Sequence, residues 1–264
     1  MVTILMPVYN TPLKYLRSSV ESILHQSYNN YEFIIIDESN DNNVINYLGE
    51  VCDQDKRVRY YHFNKGYGYI NCLNYGIEKS KGEYIARMDA DDIANHMRIE
   101  KQVKYFKDNP SISILGSAVT LINENGKTLS KRIYPNTDRK IKKQLHIWNP
   151  ICHSSVMFRA TLVKEIGVYS NNVEIEDYDL WFRAKKYGAN FANLTEPLIK
   201  YRIFEKKKEF NRGRHWGNNI KLKAKYFSIK SLIPSLMGLI IITVLFIIPP
   251  KGQNKLYYYF NLWR

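Results

Sequence analysis

The sequence predicts an α/β fold built on a mixed, mostly parallel sheet flanked by helices. Short apolar runs recur at residues 2–6, 33–36, 58–63 and 84–88. Segments with apolar side chains three and four apart lie between or after them, and polar clusters close three of the runs. Strands that alternate with helices require right-handed crossovers, which make neighbouring strands parallel. Ligands of such sheets bind beyond the carboxyl ends of the strands. Residues 7–10, 37–39 and 89–92 all fall at such ends, so three polar clusters converge on one edge.

Each element has its own signal. The run at 2–6 is a strand ended by Pro7. Leu16, Val20, Ile23 and Leu24 recur at helical spacing, so 13–25 is an amphipathic helix. The run at 33–36 is a buried strand ending at Asp37, and 58–63 is a third strand. Ile70, Leu73 and Ile77 mark a helix that ends near Gly82, and 84–88 is a fourth strand. Ile99, Val103 and Phe106 mark a helix at 98–107, stopped by Pro110. Beyond it, strands are expected at 112–119, 154–158 and 197–203. Asn125-Gly126 signals a hairpin turn, and Leu180, Trp181 and Ala184 mark a helix closed by Gly188.

Composition narrows the class. A chain of 264 residues that is 45% hydrophobic and 14% aromatic can bury a real core and is not disordered. Cys52, Cys72 and Cys152 are odd in number and lack metal-ligand spacing, which points to a reducing compartment without disulfides or structural zinc. The N-terminal apolar run is too short for a signal peptide and lacks a basic flank.

The net charge of +14 is concentrated. Residues 200–264 hold 14 Lys+Arg against 2 Asp+Glu, whereas 1–199 are nearly balanced at 25 against 23. The catalytic-looking body is therefore not a nucleic-acid binder. The basic quarter also contains the uncharged apolar stretch 232–248, preceded by Lys221, Lys223, Lys225 and Lys230 and followed by Tyr257, Tyr258, Tyr259, Phe260 and Trp263. That is the pattern of a segment associating with an anionic membrane surface, although its length is borderline for a span.

The acidic cluster carries the chemistry. Asp-x-Asp occurs three times, as Asp53/Asp55, Asp89/Asp91 and Asp177/Asp179. Only Asp89/Asp91 follows a strand-like run directly, whereas Asp53 and Asp55 read as a solvated loop. Carboxylates crowded at the end of a buried strand repel one another unless something positive sits among them. A divalent cation with a phosphate-bearing ligand suits that need. The first strand is not followed by a glycine-rich dinucleotide fingerprint, the Gly66/Gly68 pair is out of place, and no phosphate-binding P-loop occurs.

Six blocks stand in the order and spacing of family 2 glycosyltransferases. They are Pro7-Val8-Tyr9-Asn10, Gln26-Ser27-Tyr28, the block from Tyr31 through Asp37-Glu38-Ser39, and the block from Gly82 through Asp89-Ala90-Asp91-Asp92. Arg98-Ile99-Glu100-Lys101-Gln102 and Glu176-Asp177-Tyr178-Asp179-Leu180-Trp181 complete the set. The resemblance spans roughly residues 2–203. It implies an A-type glycosyltransferase fold, a UDP-sugar donor, Mn²⁺ or Mg²⁺, and inversion at the anomeric carbon.

Under that resemblance, Pro7 and Tyr9 would border the nucleobase, with the Tyr9 ring lying on it. Asp37 or Glu38 would accept the uracil imide N–H; the family often has a second Asp where Glu38 stands. Arg87 and Asp89 would lie near ribose and diphosphate, with Lys65 and Arg98 assisting. Asp91 would hold the metal, which assists departure of the diphosphate. Asp177 matches the family's base. The crowding of Glu174, Glu176, Asp177 and Asp179 should push its pKa upward, although acids at a helix N-terminus also simply complement the dipole. His153, Glu176 and Trp181 fall on the acceptor side. One departure stands out: the family's Tyr-Arg-x-His is here Tyr201-Arg202-Ile203-Phe204, so His215 or a water would have to replace the missing histidine.

The expected organisation is a catalytic domain at 1–204, with a nucleotide-binding half at 1–110 and an acceptor half at 111–204, followed by a membrane-associating segment at 205–264. The expected activity is transfer of a hexosyl or N-acetylhexosaminyl group to a lipid-linked or cell-surface glycan, at the cytoplasmic face of a bacterial inner membrane. A sugar nucleotidyltransferase and a non-catalytic basic membrane adaptor are the alternatives; the first would need a basic glycine-rich loop, which residues 5–15 lack.

Overall fold

A computed structural model describes residues 1–64, 66–171, 173, 175–204 and 212–248, with the side chains of 212–215 excepted. The N-terminal half alternates as expected. It runs β1 (Val2–Val8), α1 (Leu13–Leu24), β2 (Tyr31–Asp37), α2 (Asn42–Gln54), β3 (Val58–His62), α3 (Tyr69–Lys79), β4 (Tyr84–Arg87), β5 (Ile93–Ala94) and α4 (Arg98–Asp108). The second half runs β6 (Ile112–Ile122), β7 (Thr128–Arg132), α5 (Asp138–Gln144), β8 (Met157–Arg159), α6 (Ala160–Ile166), α7 (Glu176–Tyr187), β9 (Asn190–Arg202), α8 (Arg212–Lys225) and α9 (Leu232–Ile247).

The nine described strands form one sheet in the order β3-β2-β1-β4-β8-β6-β9-β5, with β7 paired on β6. β1 pairs in parallel with β2 and β4, and β2 with β3. β8 then runs antiparallel to both β4 and β6, while β6 and β9 are parallel. Parallel pairing therefore dominates the first half, and the second half is mixed.

Both faces of the parallel half are covered, which is why its strands read as continuous apolar runs. Side chains alternate across the sheet. Ile4, Met6, Phe33 and Ile35 pack with Leu16, Val20, Leu48 and Phe106 of α1, α2 and α4. Leu5, Ile34 and Ile36 pack with Leu73, Ile77, Leu180 and Trp181 of α3 and α7.

Several elements differ from the sequence reading. Asp53 lies in the last turn of α2 and Asp55 caps it, so the stretch expected as a loop is the end of a helix. That helix buries Val44, Tyr47, Leu48 and Val51 along one face. The run at 154–158 divides into a 3₁₀ turn, His153–Ser155, and the short strand β8. β9 begins seven residues before Pro197 and carries register shifts opposite Ser117 to Val119, which let a proline sit within it. The hairpin at Asn125-Gly126 joins β6 to β7, with Gly126 at φ 80°.

β4 ends at Arg87, the chain turns through Met88–Asp92, and β5 is then caught antiparallel by Lys200 and Ile199 of β9. The acidic turn is thus strapped to the sheet on both sides, at the carboxyl ends of β1, β2 and β4.

Candidate active site

At the end of β1, Asn10 adopts a left-handed conformation with φ 47°, and its N–H donates to Ser39 Oγ at 2.9 Å, tying the ends of β1 and β2 together. Tyr9, just before this turn, is 53% exposed on the rim. Pro7, Tyr9, Glu38, Tyr69, Asp89 and Asp91 line a cleft of about 180 Å³.

The two neighbouring carboxylates at the end of β2 have different surroundings. Asp37 is fully buried and accepts from Ser39 N–H at 2.9 Å and Tyr60 OH at 2.9 Å, with His62 Nδ1 at 3.1 Å. Glu38 faces the cleft and accepts the Gly68 N–H at 2.7 Å. Of the two candidates for reading the base, Glu38 is on the wall and Asp37 stands beneath it.

Asp89, Asp91 and Asp92 offer oxygen atoms that lie within 4.8 Å of one another. Each is held differently. Asp89 pairs with the buried Arg87 at 2.5 Å, and its backbone carbonyl accepts from Ser19 Oγ at 2.9 Å. Asp92 is buried and accepts the Arg202 backbone N–H at 2.8 Å. Asp91 has no ion-pair partner among the described residues. Burial, followed by the Asp89 charge, pushes its carboxyl up to about 6. A set of hard oxygen donors in which neither Asp91 nor Asp92 has an ion-pair partner among the described residues fits Mg²⁺ or Mn²⁺.

Arg202 braces this turn. Its Nε donates to the Asp91 carbonyl at 2.9 Å and its Nη1 to the Asn123 and Glu124 carbonyls at 3.1 and 3.0 Å. Phe204, in the place of the family histidine, packs edge-on against Tyr15 at 5.6 Å and so extends an aromatic contact. The side chain of His215 lies outside the described residues, as do Lys65 and Glu174.

A second cleft of about 290 Å³ lies on the other side of Asp89 and is lined by Trp148, Asn149, His153, Asp177 and Tyr201 among others. Asp177 opens α7. Its Oδ2 accepts from Asn149 Nδ2 at 2.8 Å, and its Oδ1 from the Tyr178 N–H at 2.7 Å. Burial pushes its carboxyl upward. The adjacent Glu176 is pushed to about 7 by burial and then by the Asp177 charge. His153 Nε2 lies 2.8 Å from Tyr169 OH and its Nδ1 3.7 Å from Glu176. Burial, with Arg87 nearby, holds its imidazole well below the ordinary value, so it stands neutral.

Three expected members sit elsewhere. Arg98 is fully buried beneath the acidic turn, where it donates to the Arg87 carbonyl at 2.7 Å, the Val156 carbonyl at 3.3 Å and Gln102 Oε1 at 3.1 Å. It stabilises the backbone and cannot reach a donor. Trp181 is also fully buried, with its ring edge-on to His153 at 6.2 Å; it backs the histidine and is closed to an acceptor. Asp179 turns away from Asp177 to pair with Arg183 at 2.8 Å and Lys225 at 2.9 Å, so it adds no crowding at Asp177.

Two site residues escaped the sequence reading. Asn149 precedes a proline in an irregular segment and carries no motif signal. Tyr69, whose hydroxyl meets Arg87, opens α3 directly after Gly68, where the sequence carries only an incomplete dinucleotide fingerprint.

The model of the family described as Glycosyl transferase family 2 matches residues 3–167, more than half of the chain. The chain belongs to glycosyltransferase family 2. It is 36% identical over 209 residues to the O-antigen biosynthesis glycosyltransferase WbnJ of Escherichia coli, covering 78% of this chain and 81% of that protein. It is 30% identical over 274 residues to the amylovoran biosynthesis glycosyltransferase AmsE of Erwinia amylovora, covering 97% and 98%. Among solved structures, Staphylococcus aureus TarS 1-349 in complex with UDP-GlcNAc superimposes with a TM-score of 0.66 at 14% identity, covering 85% of this chain and 66% of that one. At that identity the likeness is one of fold, and it establishes the A-type architecture. This glycosyltransferase therefore answers neither to the nucleotidyltransferase nor to the adaptor alternative.

The placement of Arg98 yields a test. Arg98→Met leaves buried carbonyls unpaired, at about 2–4 kcal/mol. Thermal denaturation should show a fall in Tm of roughly 5–12 °C. Calorimetric affinity for UDP, measured below that transition, should stay within about threefold of the wild type, because the side chain is walled off from the cleft.

Proposed function

We infer that this glycosyltransferase moves a sugar from a UDP-sugar, with inversion, to a hydroxyl of a lipid-linked or cell-surface glycan. The observation that carries the reading is that Asp89 forms a wall common to two clefts. Tyr9, Glu38 and Asp91 line one, and Asp177 lines the other. A donor in the first and an acceptor in the second would meet across a single carboxylate.

Each side has matching chemistry. Tyr9 presents an exposed ring for a base, and Glu38 can accept an imide N–H, which uracil has and cytosine lacks. Arg87 keeps Nε and Nη1 buried without a hydrogen-bond partner, donors that a diphosphate would satisfy. Asp91, with its neighbours, would hold a divalent cation, which when bound neutralises charge on the departing diphosphate.

On the acceptor side, Asp177 takes the proton of the attacking hydroxyl. The oxygen forms a bond to the anomeric carbon as the bond to the diphosphate oxygen breaks, and the diphosphate leaves with the bonding pair. Attack from the face opposite the nucleotide inverts the centre in one step. Asn149 and the Tyr178 N–H hold the Asp177 oxygens in place. The relatives named for O-antigen and amylovoran biosynthesis support a surface polysaccharide as the acceptor class.

Asp177→Asn should lower kcat about 10²–10⁴-fold while leaving UDP affinity nearly unchanged. The check is radiolabelled transfer alongside calorimetry, and equal loss of binding and turnover would contradict the assignment. Proton NMR of the product should show the anomeric configuration opposite to that of the donor.

The pH dependence follows from the Glu176–Asp177 pair. The base acts deprotonated; burial raises Asp177, and burial followed by the Asp177 charge raises Glu176 to about 7. Activity is therefore full above the raised pKa of Asp177 and is lost as pH falls through it. A kcat/KM profile should show one acidic limb, displaced upward from the ordinary carboxylate range, and a limb at the ordinary Asp value would contradict the assignment.

A further inference from the structure

The geometry points to α9 as a helix lying in the plane of an anionic lipid surface, docked along one face to the catalytic body, and not as a transmembrane span. This deepens the reading of a membrane-borne acceptor and rests on it for its setting.

One face of α9 is already occupied. Ser235, Gly238, Ile242 and Leu245 are buried, at a spacing that puts them on a single stripe. Ser235 Oγ lies 3.0 Å from the Nδ1 of the buried His146. Gly238 sits so close that an added Cβ would meet the His146 carbonyl oxygen at 1.8 Å. Ile242 and Leu245 pack with Trp216 of α8. Lys223, also on α8, is buried and donates to the His146 and Ile147 carbonyls at 3.1 and 2.9 Å. A helix crossing a bilayer would have to leave this seat.

The opposite face is apolar and open. Ile233, Ile240 and Ile247 are 71%, 61% and 72% exposed, and Leu236, Met237, Val244 and Phe246 lie exposed beside them. The apolar helical segment Ile229–Ile247 has 19 residues. At 1.5 Å per residue it reaches about 28 Å, at the short limit for a hydrocarbon core of about 30 Å.

Charge complementarity selects the occupant. At the start of α9 a groove of about 830 Å³ is lined by Arg139, Lys142, Lys143, Lys185 and Lys230 together with Ile229, Leu232 and Ile233. Lys142 is engaged by Asp138 at 2.9 Å. Arg139, Lys143 and Lys230 are exposed and enter no ion pair among the described residues. Cations rimming an exposed apolar face suit lipid phosphates above acyl chains. The same seat carries the acceptor cleft, because His146 and Ile147 lead directly into Trp148 and Asn149. An enzyme seated this way holds its acceptor cleft one short segment from the lipid.

The test places a fluorophore, one at a time, on Ile233→Cys, Ile240→Cys and Ile247→Cys of the full chain, with the half-exposed Cys52 replaced by serine. Quenching by brominated lipids at known depths then reports position in vesicles of phosphatidylcholine with phosphatidylglycerol. An in-plane helix gives one shallow depth for all three sites. A span gives depths that change by about 10 Å for each seven residues, which would overturn the inference while leaving membrane association standing. Absence of vesicle binding would overturn both. Arg139→Ala/Lys143→Ala/Lys230→Ala should weaken binding to the anionic vesicles at least tenfold and leave binding to pure phosphatidylcholine unchanged; equal binding of the wild type to both vesicle types would overturn the basic groove's role.

Discussion

Three carboxylates forced together at the rim of a buried sheet are the constraint around which this molecule is organised. Asp89, Asp91 and Asp92 follow β4 directly, so they cannot separate without disturbing its pairing with β1 and β8. The chain answers with fixed positive and dipolar partners. Arg87 pairs with Asp89, the Arg202 N–H and guanidinium hold Asp92 and the Asp91 carbonyl, and Arg98 secures the Arg87 carbonyl from below. The burial of those arginines, and the long reach of β9 back to the acidic turn, follow from that need. Neither Asp91 nor Asp92 has an ion-pair partner among the described residues, but only Asp91 lines the cleft beside Tyr9, whereas Asp92 is buried against β9, which makes Asp91 the natural place for an external cation.

The second acidic pair is held by different partners, with the Asn149 amide and the Tyr178 N–H on Asp177 in place of arginines. Glu176 and Asp177 begin α7, where the helix dipole favours negative charge, yet burial disfavours it at both and the Asp177 charge disfavours it further at Glu176. The balance raises both carboxyls, which suits the proposed base, and burial with the Asp89 charge raises Asp91 in the same direction. The acidic turn and the proposed base thus differ in the partners around them rather than in residue type, and Asp89 lines the clefts of both.

How much of this was legible in the chain depends on what each feature consists of. The parallel half could be read because its strands, buried on both faces, are plain apolar runs with polar ends. Helix α2 carries a readable stripe at Val44, Tyr47, Leu48 and Val51, but the asparagines and aspartates around it mask the periodicity. The mixed half resisted because β8 is inserted between β4 and β6 from far along the chain, and a three-residue strand has no pattern of its own. Arg98 and Trp181 stood in matching motifs, but a motif does not record whether a side chain turns toward ligand or core. Asn149 was invisible, since only the folded chain brings its amide to Asp177.

The C-terminal helices extend the same logic. Their buried face braces the segment that carries Trp148 and Asn149, and their open face is apolar, so the proposed membrane attachment and acceptor cleft would share one piece of backbone. All of it presupposes that the acidic turn binds a cation together with the donor diphosphate. Calorimetric titration of UDP into the wild-type protein with Mn²⁺ present tests this most directly. The account predicts a binding heat that disappears when the metal is chelated; UDP uptake of equal affinity with and without the chelator would contradict it.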